Sequence, residues 1–212
     1  MRSDVLIVAR PGLPPHIESR GGIAGRRTQP DTVHLVSSVA TPLGGDAISM
    51  RIVVESGARL SVRTVAATVA LPGAATVESH ATWTLEVAGD LDLDPEPTIV
   101  AATSRHHAST CLTLAEAGSV RLRERVQIGR TGEHQGFWSG SLHADVDGRP
   151  LLRHRVELGS GSVVDDDIAA PRACVSELHY PQRMTDTAGT TLELAGGGCL
   201  STWQGARLDG RA

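Results

Sequence analysis

The residues of this chain best suited to chemistry are carboxylates set close to arginines. In DLDLDPEPTI, Asp90, Asp92 and Asp94 alternate, so a strand projects all three from one face. Pro95 and Pro97 enclose Glu96 directly afterwards, ahead of Thr98 and an apolar run. In SVRLRERVQIGRTGE, Glu124 lies among Arg121, Arg123 and Arg125, and Gly129, Arg130, Thr131, Gly132 and Glu133 make a turn bearing both charges. Two chemistries fit these segments. One is a cross-strand ion-pair network, worth little per exposed pair. The other is a carboxylate-lined polar path or a partner-docking surface, whose oxygen donors hold a divalent cation weakly.

Other familiar sites are harder to find. Gly44-Gly45-Asp46 does not follow G-x-G-x-x-G and no helical pattern succeeds it. It reads as a tight turn, with glycine supplying a positive φ and Asp46 bonding the backbone. His106 and His107 are adjacent, so on a strand they face opposite sides and cannot share one ion, although either alone suits nickel. His154 and Glu157 likewise face apart. GFWSG and GSGSV miss the nucleophile elbow, so no hydrolase-type nucleophile and base can be located. Asp165, Asp166 and Asp167 lack the EF-hand spacing and read as a solvated loop or a charge cluster at a helix start. Cys111, Cys174 and Cys199 are odd in number and far apart, against a disulfide framework or structural zinc. All 20 basic residues are arginine, which removes Schiff-base and P-loop lysine chemistry.

The elements that must position these groups are strands. Hydrophobic residues make up 40% of the 212 residues and aromatic ones only 2%, so the core must come from Val, Leu, Ile and Ala. In AISMRIVVES, Ile48, Met50, Ile52 and Val54 share one face, and Leu60 and Val62 continue the pattern after a turn at Gly57. Strands are expected over 76–88, 98–105, 109–117 and 119–129, then a hairpin turning at Asp147-Gly148, then a last pair within 190–203. Residues 165–180 carry the one plausible short helix, limited by Pro171. Residues 1–33 read as an irregular, extended lead-in, rich in Gly, Pro and Arg. No fixed-period repeat and no linker stand out, so residues 1–212 are expected to form a single, mainly β domain. A net charge of −4 gives no general attraction to nucleic acid or an anionic membrane, no apolar run spans a bilayer, and the expected location is cytoplasmic.

The order of motifs, GGD before a strand, then SGARLSVRTVAAT, PEPTI and RERVQIGRTGE, resembles the UreD family of urease accessory proteins, called UreH in some bacteria. The likeness runs from about Gly44 to Gly159. Where the family usually carries TTQAATKVY this chain has RTVAATVAL, so a Gln, a Lys and a Tyr are missing. The resemblance implies a non-enzymatic scaffold with stacked short strands in a β-helix-like fold and one or two short helices. It implies UreF and the urease apoprotein as partners, UreG joined through UreF, and a dimer of such complexes as a larger assembly. It implies Ni2+ in transit rather than a tightly bound cofactor. Carried over by position, it points to Asp46, Asp92, Glu96, Glu124 and Glu133 as nickel-path carboxylates. Gly44, Gly45, Pro95, Pro97, Gly129, Arg130 and Gly132 become their structural frame. The alternative is a metal-independent β module that only positions its partners.

Overall fold

A computed structural model describes residues 1–163, 165, 170–183 and 189–208. The period-two stretches form strands that wind rather than fold back. Strands β1 (Arg2–Ala9), β5 (Ala47–Val54), β8 (Glu78–Val87), β11 (Arg105–Leu114) and β13 (Phe137–Val146) lie side by side in parallel. The strands β2 (His16–Arg20) and β14 (Arg149–Gly159) pair antiparallel on the outer edges of this seven-stranded sheet. A second sheet carries the returning half of each coil. Its parallel centre is β4 (Thr32–Ser37), β6 (Arg59–Thr64), β9 (Asp90–Leu93) and β12 (Ser119–Ile128). Antiparallel β3 (Ile23–Gln29) closes one end, and β15 (Ala173–Tyr180), β17 (Cys199–Gly205) and β16 (Thr190–Glu193) close the other. The short strands β7 (Thr68–Ala70) and β10 (Thr98–Val100) pair with each other, and β10 pairs with the end of β12, making a narrow third side.

The result is a β-solenoid-like stack, in keeping with the β-helix-like expectation. Its coils are unequal. Ala47 lies opposite His80, Glu78 opposite Arg105 and Arg105 opposite Phe137, offsets of 33, 27 and 32 residues. Coils of different length leave no fixed period in the sequence. The turn at Gly57 is present, with φ 75°, and it passes the chain from one sheet to the other. Asp147 and Gly148 both take positive φ, 45° and 72°, as the hairpin turn there requires.

Two expectations fail. Residues 1–33 are not an irregular lead-in, because they hold β1, β2, β3 and the start of β4. Val5, Ile7 and Ala9 bury one face of β1, whereas β2 is exposed along most of its length and is held by backbone pairing with β1. A polar edge strand has no hydrophobic alternation to reveal it. The short helix expected over 165–180 is also absent where the chain is described. Ala173–Tyr180 is strand β15, with Cys174, Ser176, Leu178 and Tyr180 on its buried face, and residues 166–169 lie outside the described residues. No helix among the described residues is long and apolar enough to cross a membrane.

Core packing follows the composition. Val33, Leu60, Val62, Leu85 and Leu178 have no exposed surface and belong to one cluster spanning both sheets. A smaller cluster gathers Ala70, Val100, Val126, Ile128, Leu158 and Cys174 around Trp138. Replacing Leu85, which is 0% exposed, by alanine is expected to cost about 2–5 kcal/mol. Urea unfolding should show this as a lowered midpoint with an unchanged slope.

Candidate functional site

One side chain breaks the apolar run on the inward face of β12. Val120, Leu122, Val126 and Ile128 are buried there, and Glu124 shares their parity. The backbone around it is fixed by β9 and β10 on one side and β15 on the other, so the carboxyl is held inside. It lines a cavity of about 200 Å³ between the sheets, together with His106, Thr110 and Trp138. A second void of about 10 Å³ lies next to it, lined by His154 and Ser176. The two share Thr110, Leu122, Glu124 and Trp138, which places Glu124 at their junction. Such accessible surface as Glu124 keeps faces the cavity, and desolvation pushes its carboxyl up to about 7.

The neighbouring donors are neutral. His106 is 4% exposed, and its Nδ1 and the Ser79 Oγ are hydrogen-bonded at 2.9 Å. Burial, reinforced by His107 and His80, lowers the His106 imidazole to about 4. The pair is no nucleophile and base, since Ser79 has 0% exposed surface and no substrate can reach it. The buried Nε2 of His154 has no hydrogen-bond partner among the described residues, and burial lowers that ring too. Desolvation raises the Cys174 thiol to about 11, so it stays protonated beside Ser176. The cavity and the void beside it therefore offer a carboxyl, imidazoles and hydroxyls but no thiolate, with Arg123 and Arg125 also on the cavity wall.

The five carboxylates singled out in the sequence do not converge. Asp46 is 5% exposed, and its oxygens accept from the Met1 ammonium at 2.6 Å, the Leu43 amide at 2.8 Å and the Thr41 hydroxyl at 2.9 Å. Burial works to raise its pKa, and these bonds outweigh it and hold Asp46 below its ordinary value. It fastens the turn at Gly44 and Gly45. A Cβ at Gly44 would lie 1.8 Å from the Thr76 carbonyl oxygen, so only glycine fits.

Asp92 lies on the outer face of the second sheet, ion-paired to Arg63 and, at 3.1 Å, to Arg121. The network continues from Arg121 to Asp94 at 3.1 Å and to Glu177 at 2.7 Å, and from Asp94 to Arg125 at 2.9 Å. Glu133 accepts from the Ala102 amide at 2.9 Å and from the Arg130 side chain, and the Arg130 bond leads the causes that hold its carboxyl at about 2. Gly129 and Gly132, both at φ 81°, shape that turn. Glu96 is exposed at the cavity rim. Its amide donates to Thr64 Oγ1 at 2.8 Å, while the Pro95 carbonyl accepts from Arg125 at 2.7 Å and the Pro97 carbonyl from the Thr68 amide at 2.9 Å.

Of the five, Glu96 and Glu124 share the cavity, whereas Asp46, Asp92 and Glu133 are engaged elsewhere. Among the described residues no group of three or more His, Cys, Asp and Glu is placed to hold a metal ion. Sequence reading missed His106, Thr110 and His154 as cavity residues. The signal for His106 was its parity with the buried Leu112 and Leu114 on β11.

Residues 24–197 match the family model described as UreD urease accessory protein. The chain belongs to that family. Its description is that of an accessory protein rather than of a catalyst. Among curated relatives, "Urease accessory protein UreD" of Frankia alni is 46% identical over 183 residues, covering 75% of this chain and 61% of the relative. "Urease accessory protein UreD 1" of Saccharopolyspora erythraea is 37% identical over 192 residues, covering 86% and 75%. The Frankia casuarinae UreD is 40% identical over 176 residues, covering 75% of this chain and 55% of its own length. The chain thus spans little more than half of the two Frankia proteins.

Glu124 gives this UreD-family chain a pH signature. Its folded-state pKa of about 7 exceeds its ordinary 4.5, so folding favours the protonated carboxyl. The stability this contributes is complete below pH 4.5 and is lost as pH rises to about 7. Glu124→Gln should gain on the wild type across that window, by up to the order of 3 kcal/mol. Urea midpoints for both proteins at pH 5 and pH 8 measure it, and parallel pH curves would contradict the buried carboxyl.

Proposed function

We propose that this chain is a urease maturation scaffold that binds UreF, with UreG joined through UreF, and the urease apoprotein, in the cytoplasm. In this reading Ni2+ is cargo passing through the interior on its way to the urease active site. The observation that carries it is the Glu124 carboxyl at the junction of two interior voids, inside a member of a family of urease accessory proteins.

The donor set suits transit. A carboxyl, neutral imidazoles and hydroxyls bind a borderline cation weakly, whereas thiolates would trap it. Cys174 stays protonated, so it does not compete. A carboxyl that titrates near neutrality can release its proton as a divalent cation arrives and recover it as the cation leaves. Glu96 at the rim fits an entry or exit position for the same ion.

A metal-independent positioning module is the second reading. It is favoured by Asp46, Asp92 and Glu133, whose partners show them fastening turns and strands. The two readings separate in one assay. Glu124→Gln and Glu124→Ala should lower nickel per urease active site several-fold while UreF still co-purifies in full. Asp92→Ala, which loosens the outer network, should disturb partner binding before nickel content. Normal nickel loading in both Glu124 variants would leave the positioning module as the function.

A further inference from the structure

Strand β11 sends His106 inward and His107 outward, so this adjacent pair cannot share an ion. His107 has a different companion, one coil away. His80 on β8 stands directly opposite it in parallel register, and the two rings stack with centroids 5.0 Å apart and planes 18° apart. Phe137 flanks the His107 ring at 5.6 Å. Neither imidazole is hydrogen-bonded to another described residue.

We propose that His80 and His107 form a two-imidazole binding site for a divalent transition-metal ion of the nickel, copper or zinc type on the outer face of the seven-stranded sheet. Imidazole is a preferred ligand of these ions, and it must be neutral to bind. Burial, then the closeness of His80, keeps His107 below its ordinary pKa. In-register neighbours on adjacent strands stand about 4.8 Å apart, so small rotations of both rings bring one nitrogen of each to a shared ion. Metal–nitrogen bonds of about 2.1 Å then close the site.

The surroundings permit a cation. A shallow depression of about 260 Å³ is lined by both histidines and by the hydroxyl-bearing Thr82, Ser109, Ser139 and Ser141. Two arginines lie nearby, each set against its own carboxylate. Arg105 is 3.8 Å from Glu78, and Arg155 is 2.5 Å from Glu157. Arg155 also lines the depression, and both arginines add to burial in lowering His107, which favours the neutral imidazole that a metal ion needs. No third His, Cys, Asp or Glu completes a cluster among the described residues, so hydroxyls and water fill the remaining positions and the ion exchanges readily. The site is separate from the interior cavity and stands whether or not Glu124 conducts nickel.

Titration of the full 212-residue chain tests it, with NiCl2 followed by calorimetry and Cu2+ followed by the nitrogen hyperfine pattern in electron paramagnetic resonance. The expected result is one ion bound by two nitrogens. His80→Ala or His107→Gln should weaken it at least tenfold and remove one nitrogen from the spectrum. Glu124→Gln should leave this ion in place. So should Cys111→Ser with His143→Ala, which removes the in-register pair further along β11 and β13. His80 is exposed, so its alanine variant keeps the fold even if the His107 variant does not. Unchanged binding in His80→Ala, or loss that follows Glu124 or the Cys111 and His143 pair instead, overturns the assignment.

Discussion

Everything in this molecule depends on the backbone of one coil being hydrogen-bonded by the next. A strand in the middle of the stack, such as β5, β8 or β11, has no hairpin partner beside it in sequence, and its amides and carbonyls are satisfied only when the chain has travelled a whole coil. Register is thereby locked over long stretches, ten residues for β11 against β8 and ten for β11 against β13. A shift of one residue would turn every buried Val and Leu outward. Coil lengths are free to differ, because the additional residues are absorbed at the corners. The turn at Gly44, Gly45 and Asp46 is one such corner, and the turn from Gly129 to Glu133 is another. Both spend their carboxylates on backbone amides.

Locked register also decides where polarity can enter the interior. The core is in two parts, a larger one across both sheets and a smaller one around Trp138. Leu122 belongs to the first and Val126 to the second, and Glu124 stands between them on the same face of β12. A carboxyl at that place cannot turn outward without carrying the strand with it. It is left with desolvation as the only resolved cause of its shift. An interior acid with no hydrogen-bond partner among the described residues is costly, and a packed apolar side chain would serve stability better. Folding stability does not account for its presence, and the proposed transit role gives it a use.

Much of this arrangement can be read from the residue pattern, and the parts that cannot have physical causes. Ile48, Met50, Ile52 and Val54 mark β5 because burial on one face forces alternation. Strand β2 leaves no such mark, since its backbone pairing to β1 holds it without burial. Strand β15 reads as a short helix in sequence because its inward positions mix Cys174, Ser176 and Leu178, which blurs the two-residue period. The inward parity of Glu124 was legible, but three flanking arginines made an outer ion pair the nearer explanation. In fact those arginines reach Asp94 and Glu177 on the opposite face. The meeting of His80 and His107 was hidden altogether, because it depends on one coil being 27 residues long when its neighbours are 33 and 32.

Glu124 and Glu133 lie nine positions apart and sit at opposite ends of the carboxyl range, about 7 and about 2. Composition does not separate them, since each has arginine within three positions in sequence. Geometry does. Glu133 receives two backbone amides and the Arg130 guanidinium at a corner, where the charged form is bonded and stays charged. Glu124 faces a cavity that Arg123 and Arg125 also line, but their guanidiniums are engaged by Glu177 and Asp94 instead. A carboxylate meant to hold a corner gains from being permanently ionised. One that takes up and releases a cation, as proposed for Glu124, gains from a proton it can lose at neutral pH, because a permanently charged interior site would hold the ion and an uncharged one would not attract it. The winding of the chain sets both conditions with the same residue type, by deciding which face of a strand each carboxyl occupies.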